Sequence, residues 1–392
     1  QGDAARARDF AIEQGVEPRP WDVQEDWIAT LKSETVIVDA LLGTGLDRPP
    51  RDDYAQVIAA INSSAKPVLA VDIPSGLDAN TGNPLAAAVR AQLTVTFIAM
   101  KQGLLTGTAR DHVGELRFTP LDVPNQVFAH PSAPLPMAQR IDISTASRLL
   151  PGRLPASHKG SHGHVLIVGG DLGFGGAVIM AAESAARAGA GLVSVITRSE
   201  HRLAAMSRRP ELMVHGTEDG DDRLDELLNR ATVLVIGPGL GRGAWSQQLL
   251  HRAIAASRAR NLPMVLDADA LHLLADRHQA DPGLRRDNWI LTPHPGETAV
   301  LLDCAVADIQ QDRFQAVQDL VARYGGTCLL KGSGSLIASA GDRQPVSLCS
   351  EGNPGMASGG MGDVLSGLIG GLLAQGLACR PALECAVCVH GE

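Results

Sequence analysis

The strongest chemical signal in the sequence is a glycine-rich stretch that ends on an acidic residue and runs into an apolar segment. Residues 352–363 read Gly-Asn-Pro-Gly-Met-Ala-Ser-Gly-Gly-Met-Gly-Asp, and Val-Leu-Ser-Gly-Leu-Ile follows. The glycines allow a sharp turn, and a helix starting there directs N–H groups and its dipole at one point. We therefore expect an anion hole at Gly360, Met361 and Gly362, where Asp363 accepts a hydroxyl proton during phosphoryl transfer. The alternative interpretation is an Asp that caps a helix after a flexible loop.

A second candidate is a lysine in a loop of small residues. Residues 329–335 read Leu-Leu-Lys-Gly-Ser-Gly-Ser, which predicts a strand that runs into a loop able to approach phosphates closely. Lys331 would then act as a point charge on the phosphates. The alternative is a hairpin turn with an exposed lysine, because Leu336 and Ile337 could begin another strand.

Several other loops follow predicted strands. Gly-Pro-Gly-Leu-Gly at 237–241 would let a ligand or neighbouring backbone come close, or would form a tight turn into a helix. In Leu-Thr-Pro-His-Pro-Gly-Glu at 291–297, two prolines hold His294 at a strand end, and Glu297 starts a helix. We expect His294 to contact a ligand ring or amide, and the alternative is a purely structural histidine. Asp267 and Asp269 could bind a metal directly or through water, or could cap a helix.

The loop at 169–176, Gly-Gly-Asp-Leu-Gly-Phe-Gly-Gly, superficially resembles a dinucleotide fingerprint. Its spacing is not Gly-x-Gly-x-x-Gly, and no acidic residue ends the next strand, so we exclude a Rossmann cofactor site here. The loop still brings a helix start at Ala177 to the same edge of the sheet.

In the N-terminal half, Asp39 and Asp72 each stand at the end of a predicted strand, and a Gly/Ser/Thr-rich loop follows each. Ligands bind at this edge in open α/β sheets. Oxygen ligands from Asp39 and Ser75 would suit a hard cation, and the loop at 43–48 with Arg48 would suit a phosphate. The alternative is two well-formed strand-to-helix turns without a ligand.

The elements that must position these residues alternate between apolar strands and helical patterns, which is typical of α/β layers around a mostly parallel sheet. A proline-rich stretch from 119 to 160 lacks periodicity and predicts an extended linker, with the domain boundary near 130–140. We expect one helix from about Ala177 to Ala188 and another from near Asp363. Buried strands are predicted at 35–39, 67–72, 93–97, 164–168, 232–236, 264–266, 289–291 and 327–330.

Bulk composition narrows the functional class. The chain has 392 residues, 45% hydrophobic and 20% charged, which suits about two globular domains. A net charge of −9 and only 12 aromatic residues exclude nucleic-acid binding. No apolar stretch is long enough to cross a membrane. The six cysteines show no disulfide spacing, and Cys385 and Cys388 read as buried thiols, so we expect a reduced, cytoplasmic protein.

Segments 292–297, 331–335 and especially 353–363 resemble the family of bifunctional NAD(P)H-hydrate repair enzymes almost continuously. The resemblance implies two three-layer αβα domains. Residues 1–130 would form a Rossmann-like NAD(P)H-hydrate epimerase domain, and residues 137–392 a ribokinase-like ADP-dependent dehydratase domain. The sequence starts after the family's Asn-Asn-Gly-Gly-Asp-Gly loop and ends within a helical pattern, so we expect a truncated epimerase domain and a fragment of a longer protein.

The resemblance also implies roles in the C-terminal half. The domain would use ADP, or ATP, to phosphorylate the hydroxyl of the NADH or NADPH hydrate and would then eliminate phosphate, leaving NAD(P)H and AMP. Asp363 would activate the hydroxyl, and Gly360–Gly362 would hold the transferring phosphoryl group, with Mg²⁺ bridging the nucleotide phosphates. The nucleotide would be bound by Lys331, Gly332, Ser333, Gly334, Ser335 and Gly362. The hydrate would be bound by Ala177, Gly239, Gly241, His294 and Asp363.

For the N-terminal half, the resemblance implies a potassium ion on Asp39 and Ser75. It also implies that Asp72 transfers a proton and that the hydrate is held by Asp72 together with Gly43, Thr44, Gly45, Leu46, Asp47, Arg48 and Pro49. The family often assembles, so we expect a homo-oligomer. Two alternatives stay open. One is a ribokinase-like small-molecule kinase, and the other is a non-catalytic binding module in the N-terminal half.

Overall fold

The chain folds into two compact units. The structure is a computed structural model, and it describes residues 3–19, 21, 27–150, 152–218, 223–341 and 343–392. Unit 1 takes in the chain up to Asp78 together with 84–99 and 111–119. Unit 2 takes in 79–83, 100–110 and the chain from Pro120 onward. Two short pieces of the N-terminal half therefore belong to the unit that carries the glycine-rich motifs.

Unit 1 holds a four-stranded parallel sheet in the order β1-β2-β3-β4. Its core packs Ile58 and Ile61 of one helix against Val68 and Ala70 of the second strand. The elements are α1 (Asp3–Glu13), β1 (Ile37–Asp39), α2 (Asp52–Ser63), β2 (Val68–Val71), β3 (Leu93–Phe97), α3 (Arg110–Val113) and β4 (Glu115–Thr119).

The three strands predicted for this half are present, but they are not fully buried as expected. Burial alternates along β2 and β3, and Val38 in β1 is 59% exposed. Their incomplete burial follows from their place in the unit. Strand β1 lies at the edge of the sheet, and among the described residues only α2 contributes buried helical side chains to the core of this unit. Apolar sequence alone does not distinguish an edge strand from a central one.

Unit 2 contains a ten-stranded sheet. Its strands are β5 (Ala138–Ile141), β6 (His164–Val168), β7 (Leu192–Thr197), β8 (Met213–Gly216), β9 (Val233–Ile236), β10 (Met264–Leu266), β11 (Trp289–Leu291), β12 (Thr327–Leu330), β13 (Ser335–Ser339) and β14 (Val346–Cys349). They lie in the order β5-β14-β13-β12-β11-β10-β9-β6-β7-β8. All neighbours are parallel except β13, which is antiparallel to β12 and to β14.

Helices cover both faces of this sheet. They are α4 (Asn125–Ala129), α5 (Ile143–Leu149), α6 (Gly175–Arg187), α7 (Arg202–Arg208), α8 (Arg223–Arg230), α9 (Ala244–Arg260), α10 (Asp269–Ala280), α11 (Pro295–Leu302), α12 (Val306–Gln311), α13 (Arg313–Tyr324), α14 (Met361–Ala374) and α15 (Cys379–Gly391). Leu166 and Val168 of β6 enter the core with α8 to α13, whereas Val165 and Ile167 enter the core with α5, α6, α14 and α15. This alternation confirms the three-layer αβα architecture predicted for the C-terminal half.

The predicted linker is partly wrong. Within 119–160 the chain forms α4, β5 and α5, and β5 extends the large sheet beside β14. Asp142 starts α5 with a capping box to Thr145. Prolines mask these elements in the sequence, and β5 is an edge strand in which Gln139 and Arg140 are exposed, so it lacks the apolar run that revealed the central strands. The interpretation of Cys385 and Cys388 as buried thiols is confirmed, and all six cysteines are free in the structure.

The topology gathers several loops at one edge of the sheet. Strands β12, β11, β10, β9 and β6 are consecutive parallel neighbours, so the loops that follow them leave from the same side. Such an edge is where open α/β sheets bind ligands. Among the described residues, no helix combines the length and apolar character needed to cross a bilayer.

Candidate active site

The loops after β10, β11 and β12 meet the first turn of α14 around a cavity of about 370 Å³. The cavity combines three carboxylates with one amine, which is an arrangement typical of proton and phosphoryl chemistry. The lining residues are Asp267, Ala268, His294, Pro295, Glu297, Lys331, Gly332, Gly362 and Asp363.

Asp363 lies in the first turn of α14, which begins two residues earlier, at Met361. The N-cap is Gly360 at φ +92°, so the interpretation of Asp363 as a helix cap is wrong. The N–H groups of the first helical turn lack partners within the helix and face outward from its start. Burial raises the pKa of Asp363 to about 6, and the Asp267 carboxylate adds to this rise while Lys331 opposes it. Asp363 thus has the altered basicity expected of a general base.

Asp267 organises the floor of the cavity. Its side chain is almost fully buried and accepts hydrogen bonds from Thr292 Oγ1 (2.8 Å), Lys331 Nζ (3.0 Å) and Ser366 Oγ (2.6 Å). Burial alone would raise the pKa of Asp267, but these donors together lower it below its ordinary value. Asp267 therefore stays ionised and does not cap α10, whose N-cap is Ala268.

Lys331 is the positive partner of these carboxylates. Its Nζ lies 3.0 Å from Asp267 Oδ1 and 3.9 Å from Glu297 Oε2. Burial alone would lower the pKa of Lys331, but the carboxylates Asp267 and Glu297 outweigh it and raise that pKa. The loop does join two antiparallel strands, β12 and β13, as a hairpin would. The lysine itself is not exposed, since only 20% of its side chain is accessible.

His294 and Glu297 form a reciprocal cap at the start of α11. The ring Nδ1 of His294 accepts from the N–H groups of Gly296 (3.0 Å) and Glu297 (3.3 Å), and Glu297 Oε2 accepts from the N–H of His294 (2.8 Å). An accepting Nδ1 places the proton of the neutral ring on Nε2, which is 3.5 Å from Glu297 Oε1. More than half of the His294 side chain is exposed, so the ring can still meet a ligand.

Glu297 is a site residue that the sequence analysis took only as a helix start. Its side chain is only 8% exposed and lines the same cavity as Asp363. Its carboxylate forms a second ion pair with Lys331, in addition to that of Asp267. Ser366, which donates to Asp267, was missed as well. The spacing of both residues could have indicated their positions. Ser366 lies three residues after Asp363 and therefore on the same face of the helix, and Glu297 lies three residues after the N-cap, where a capping box places a glutamate.

The rest of the lysine loop lies beyond the cavity. Lys331 and Gly332 line it, whereas Ser333, Gly334 and Ser335 continue the turn toward β13. Ser335 Oγ donates to the carbonyl of Gly332 at 3.1 Å, which stiffens the turn. Gly332 (φ +137°) and Gly334 (φ +65°) both adopt backbone conformations that favour glycine.

The glycines after β9 pack against the loop after β6. A Cβ on Gly239 would lie 2.6 Å from the carbonyl oxygen of Phe174, and one on Gly241 would lie 2.7 Å from Asp171 Oδ2. Asp269 accepts from the N–H of Gly241 at 2.9 Å, so its role is to hold this loop. Ala177 borders the same place, 3.1 Å from a Cβ on Gly239. These residues do not line the cavity around Asp363, and they form a neighbouring part of the same sheet edge.

In unit 1, Asp39 and Ser75 meet as predicted. Asp39 is 1% exposed and accepts from Ser75 Oγ (2.6 Å) and from Ser75 N–H (2.8 Å). Ser75 Oγ in turn accepts from Leu42 N–H at 2.9 Å, which ties the start of the next loop to this pair. The described residues hold no group of three or more His, Cys, Asp or Glu side chains placed to bind a metal. A cation on Asp39 would therefore need backbone or water oxygens as well.

Asp72 lies one strand further along the sheet. Its Oδ1 accepts from Thr96 Oγ1 (3.1 Å) and from the N–H of Phe97 (3.0 Å), and its backbone has a φ of +71°. A positive φ is uncommon outside glycine and is often found at functional sites. The loop at 43–49 is mostly exposed.

Two family models match the chain along its length. One, described as NAD(P)H-hydrate dehydratase, matches residues 165–392, and the other, described as YjeF-related protein N-terminus, matches residues 1–103. A protein of Escherichia coli named bifunctional NAD(P)H-hydrate repair enzyme is 46% identical over 99% of this chain and 71% of its own length. The chain belongs to the family of bifunctional NAD(P)H-hydrate repair enzymes. Another member, from Coxiella burnetii, is 48% identical over 91% of this chain and 70% of its own length.

Solved structures support the ribokinase-like fold of unit 2 in this repair-enzyme chain. A ribokinase-like superfamily protein from Enterococcus faecalis covers 67% of the chain and 89% of its own length, at 30% identity and a TM-score of 0.60. The ADP/ATP-dependent NAD(P)H-hydrate dehydratase of Bacillus subtilis, crystallised with ATP and Mg²⁺, covers 64% of the chain and 87% of its own length, at 27% identity and a TM-score of 0.53.

Proposed function

We propose that this chain repairs hydrated nicotinamide cofactors, and that unit 2 dehydrates NADH or NADPH hydrate at the expense of ADP. The observation that carries the proposal is Asp363, a carboxylate with a pKa of about 6 at the start of α14, in a cavity shared with Lys331. The names of the family and of its relatives support the same activity.

In this proposal Asp363 is the general base. At pH 7 or above it is mostly ionised, and it accepts the proton of the ring hydroxyl as that oxygen attacks the β-phosphorus of ADP. The P–O bond to the α-phosphate breaks, and AMP leaves. The phosphorylated hydrate then loses its phosphate from the ring carbon together with a proton from the neighbouring carbon, which restores the double bond of NAD(P)H.

The transferred phosphoryl group would be held by Gly360, Met361 and Gly362, whose N–H groups start α14. Gly362 suits this place because a Cβ there would lie 3.4 Å from Lys331 Nζ and would narrow the cavity. Lys331 would offset the charge of the nucleotide, and the turn at 332–335 would bind its phosphates through backbone groups.

Mg²⁺ fits this site mainly through the nucleotide. Both oxygens of Asp267 already accept from protein donors, so direct ligation there is disfavoured. Asp267 and Glu297 can hold the water shell that Mg²⁺ usually retains while phosphate oxygens bind it directly. When bound, the ion would neutralise charge that develops on the phosphates.

The hydrate would extend from Asp363 along the same sheet edge, toward His294, Ala177, Gly239 and Gly241. The close packing of the glycine loop after β9 on the loop after β6 gives this stretch a fixed wall. The His294 side chain is 56% exposed, so its Nε2, 3.5 Å from Glu297 Oε1, would offer one hydrogen-bond donor to an amide or ring substituent.

For unit 1 we propose exchange of the R and S hydrates. Asp72 would transfer the proton, a potassium ion would bind at Asp39 and Ser75, and Gly43, Thr44, Gly45, Leu46, Asp47, Arg48 and Pro49 would hold the hydrate. Buried oxygen donors at Asp39 and Ser75 support the cation, and the strained backbone of Asp72 supports a functional role. Replacing K⁺ by tetramethylammonium should slow epimer exchange if the proposal is right.

We further propose that the epimerase occupies residues 1–130 and the dehydratase 137–392, that the protein works in the cytoplasm, and that it forms a homo-oligomer. Six free cysteines support a reducing compartment. Light scattering on the purified chain tests the oligomeric state directly.

The deciding experiment follows the recovery of absorbance at 340 nm from a mixture of R and S NADH hydrates, with ADP, ATP or no nucleotide. Nucleotide-dependent recovery with release of AMP and phosphate supports the dehydratase. Recovery of both epimers faster than their spontaneous exchange supports the epimerase. A stable phosphorylated product would instead indicate a ribokinase-like kinase, and no recovery with either nucleotide would contradict the proposal.

A further inference from the structure

One arginine is buried directly behind the lysine loop. Arg313 begins α13, and only 2% of its surface is accessible. Its Nη2 donates to the carbonyl oxygens of Lys331 (3.2 Å), Leu330 (3.4 Å) and Gly334 (3.4 Å). A single guanidinium therefore binds both ends of the turn that we assign to the nucleotide.

The other side of the guanidinium reaches a piece of the N-terminal half. Nε donates to Thr106 Oγ1 at 3.1 Å, and Nη1 donates to Gln310 Oε1 at 3.2 Å. Thr106 is fully buried in the segment 100–110, which belongs to unit 2 and which we name the bracing segment. Its hydroxyl lies 3.1 Å from the carbonyl oxygen of Gly334, and the N–H of Gly107 donates to the carbonyl of Ser333 at 3.0 Å.

These contacts fix which way the turn presents its backbone. In a trans peptide the C=O of one residue and the N–H of the next point in opposite directions. The carbonyls of Lys331 and Ser333 face Arg313 and the bracing segment, so the N–H groups of Gly332 and Gly334 face away from them. Two N–H groups directed together form the kind of concavity that binds phosphate.

The fit leaves little freedom. A Cβ on Gly332 would lie 3.1 Å from Arg313 Nη2, and a Cβ on Gly334 would lie 2.1 Å from the carbonyl oxygen of Leu105. The turn is thus packed directly on the arginine and on the bracing segment, so a substitution in either would shift the backbone of the turn.

Arg313 also places a positive charge behind the turn, and none of its hydrogen-bond partners among the described residues neutralises that charge. Among the described residues, its hydrogen-bond acceptors are carbonyl, amide and hydroxyl oxygens and not carboxylates. Burial lowers the pKa of Arg313 to about 10, so the side chain stays charged at neutral pH. Burying a charge without an opposite partner is costly, which favours a functional reason for the arrangement.

We propose that Arg313, held by Thr106, is a positioning residue that shapes the 331–334 turn to receive the phosphates of a nucleoside diphosphate. The inference rests on the proposed nucleotide-dependent function, because it assigns that same turn. Arg313 acts through the backbone of the turn and does not itself reach the cavity. The bracing segment thereby becomes part of the nucleotide site, although it lies far from the C-terminal motifs in sequence.

The first test compares Arg313→Met and Arg313→Lys with Arg323→Met, an arginine on the same helix that packs over the Tyr324 ring. We expect Arg313→Met to raise the KM for ADP at least roughly tenfold, as misplaced binding groups do, while the KM for the hydrate changes little. Arg313→Lys should recover only part of the affinity, because an ammonium lacks the planar fork that reaches several carbonyls. The control should keep the KM for ADP of the parent.

The second test uses Thr106→Val, with the exposed Thr108→Val in the same segment as its control. Thr106→Val should raise the KM for ADP several-fold, and Thr108→Val should not. This milder pair decides the matter if Arg313→Met does not fold. A lower melting temperature with an unchanged KM for ADP in Thr106→Val or Arg313→Lys would overturn the proposal, since it would mean that these groups only support the fold.

The two proposals can fail separately. If the parent chain shows no nucleotide-dependent recovery of the hydrates, the proposed function fails whatever the variants do. Calorimetric titration of the parent and variants with ADP and Mg²⁺ then still measures whether Arg313 and Thr106 govern nucleotide affinity. Equal affinity in all of them would overturn the inference on its own.

Discussion

Two carboxylates share the cavity and are driven in opposite directions. Burial and the neighbouring Asp267 raise the pKa of Asp363, whereas Lys331, Ser366 and Thr292 hold the pKa of Asp267 low despite its burial. When the pKa values of two neighbouring acidic groups are driven apart in this way, one group can exchange protons as a base while the other stays ionised as a fixed charge. The first role is the one we propose for Asp363, and Asp267 holds Lys331 through a hydrogen bond of 3.0 Å.

Replacing Asp363 by Asn should remove the base and leave the binding groups in place. We expect kcat to fall by about 10²–10⁴, the usual contribution of a general base, with ADP affinity within a few-fold of the parent because the phosphates are held by backbone and Lys331. Steady-state kinetics and calorimetry with ADP measure the two effects. Near-parental turnover in Asp363→Asn would show that the assigned role is wrong.

The same geometry predicts the pH profile. The ionised form of Asp363 is the active one, so kcat should fall as the pH drops through about 6 and level off above it. Asp267→Asn removes a negative neighbour that raises the pKa of Asp363, so the acidic limb should move to lower pH, even if the plateau falls. Profiles of both proteins from pH 4.5 to 8.5 make the comparison, and an acidic limb that moves to higher pH in Asp267→Asn would contradict it.

At the residue scale, the sequence singled out Asp363, Lys331, His294 and the Asp39–Ser75 pair as candidates, because each follows a recognisable loop or strand end. It did not identify Arg313, Thr106 or Glu297 as site residues. Arg313 and Thr106 are separated by more than two hundred positions and come together only in the folded chain, so no local sequence pattern predicts their contact.

At the scale of elements, the position of Asp363 depends on how closely α14 approaches α6. A Cβ on Gly367 of α14 would lie 2.0 Å from the carbonyl oxygen of Ala181 in α6. The glycine therefore allows the backbones to come together, and Ser184 Oγ of α6 donates to the carbonyl of Val364 at 2.7 Å across the same contact. The start of α14, and with it the anion hole that we propose at Gly360–Gly362, is positioned by this packing.

Gly367→Ala should therefore push the helices apart. We expect a loss of about 1–3 kcal/mol in the free energy of unfolding, typical of overpacking, and a fall in kcat because Asp363 moves with its helix. Gly176→Ala in α6 is the control, since its Cβ would meet nothing within 4 Å and should stabilise the helix slightly. Thermal melts and kinetics read both variants, and equal stability of the two would contradict the packing argument.

The central strands of unit 2 and helix α6 could be predicted from sequence because strands buried on both faces are continuously apolar. The stretch at 119–160 could not, since β5 reads Ala-Gln-Arg-Ile and gains its place only by pairing with β14, which comes two hundred residues later. Edge strands and short helices beside prolines depend on partners that the local sequence does not show.

On the scale of the whole molecule, the two units should respond differently to nucleotide. Scanning calorimetry of the full chain should show a transition that ADP raises, assigned to unit 2, and one that it leaves in place. At a hundred times its dissociation constant, ADP should stabilise unit 2 by about 2.7 kcal/mol. Adding AMP with phosphate serves as the comparison. A single transition that shifts as a whole would mean that the units unfold together, and no shift would count against nucleotide binding.

The bracing segment has a consequence for how such a protein can be rearranged in evolution or in the laboratory. The chain passes from one unit to the other after residues 78, 83, 99, 110 and 119. A recombination event with a single breakpoint in the proline-rich stretch would therefore transfer the glycine-rich motifs of unit 2 and leave behind Thr106, which hydrogen-bonds to Gly334 and to Arg313. Chimeras between relatives should keep their affinity for ADP only when the bracing segment and the 331–334 turn come from the same parent. The two regions should therefore be inherited together, although they lie far apart in the gene.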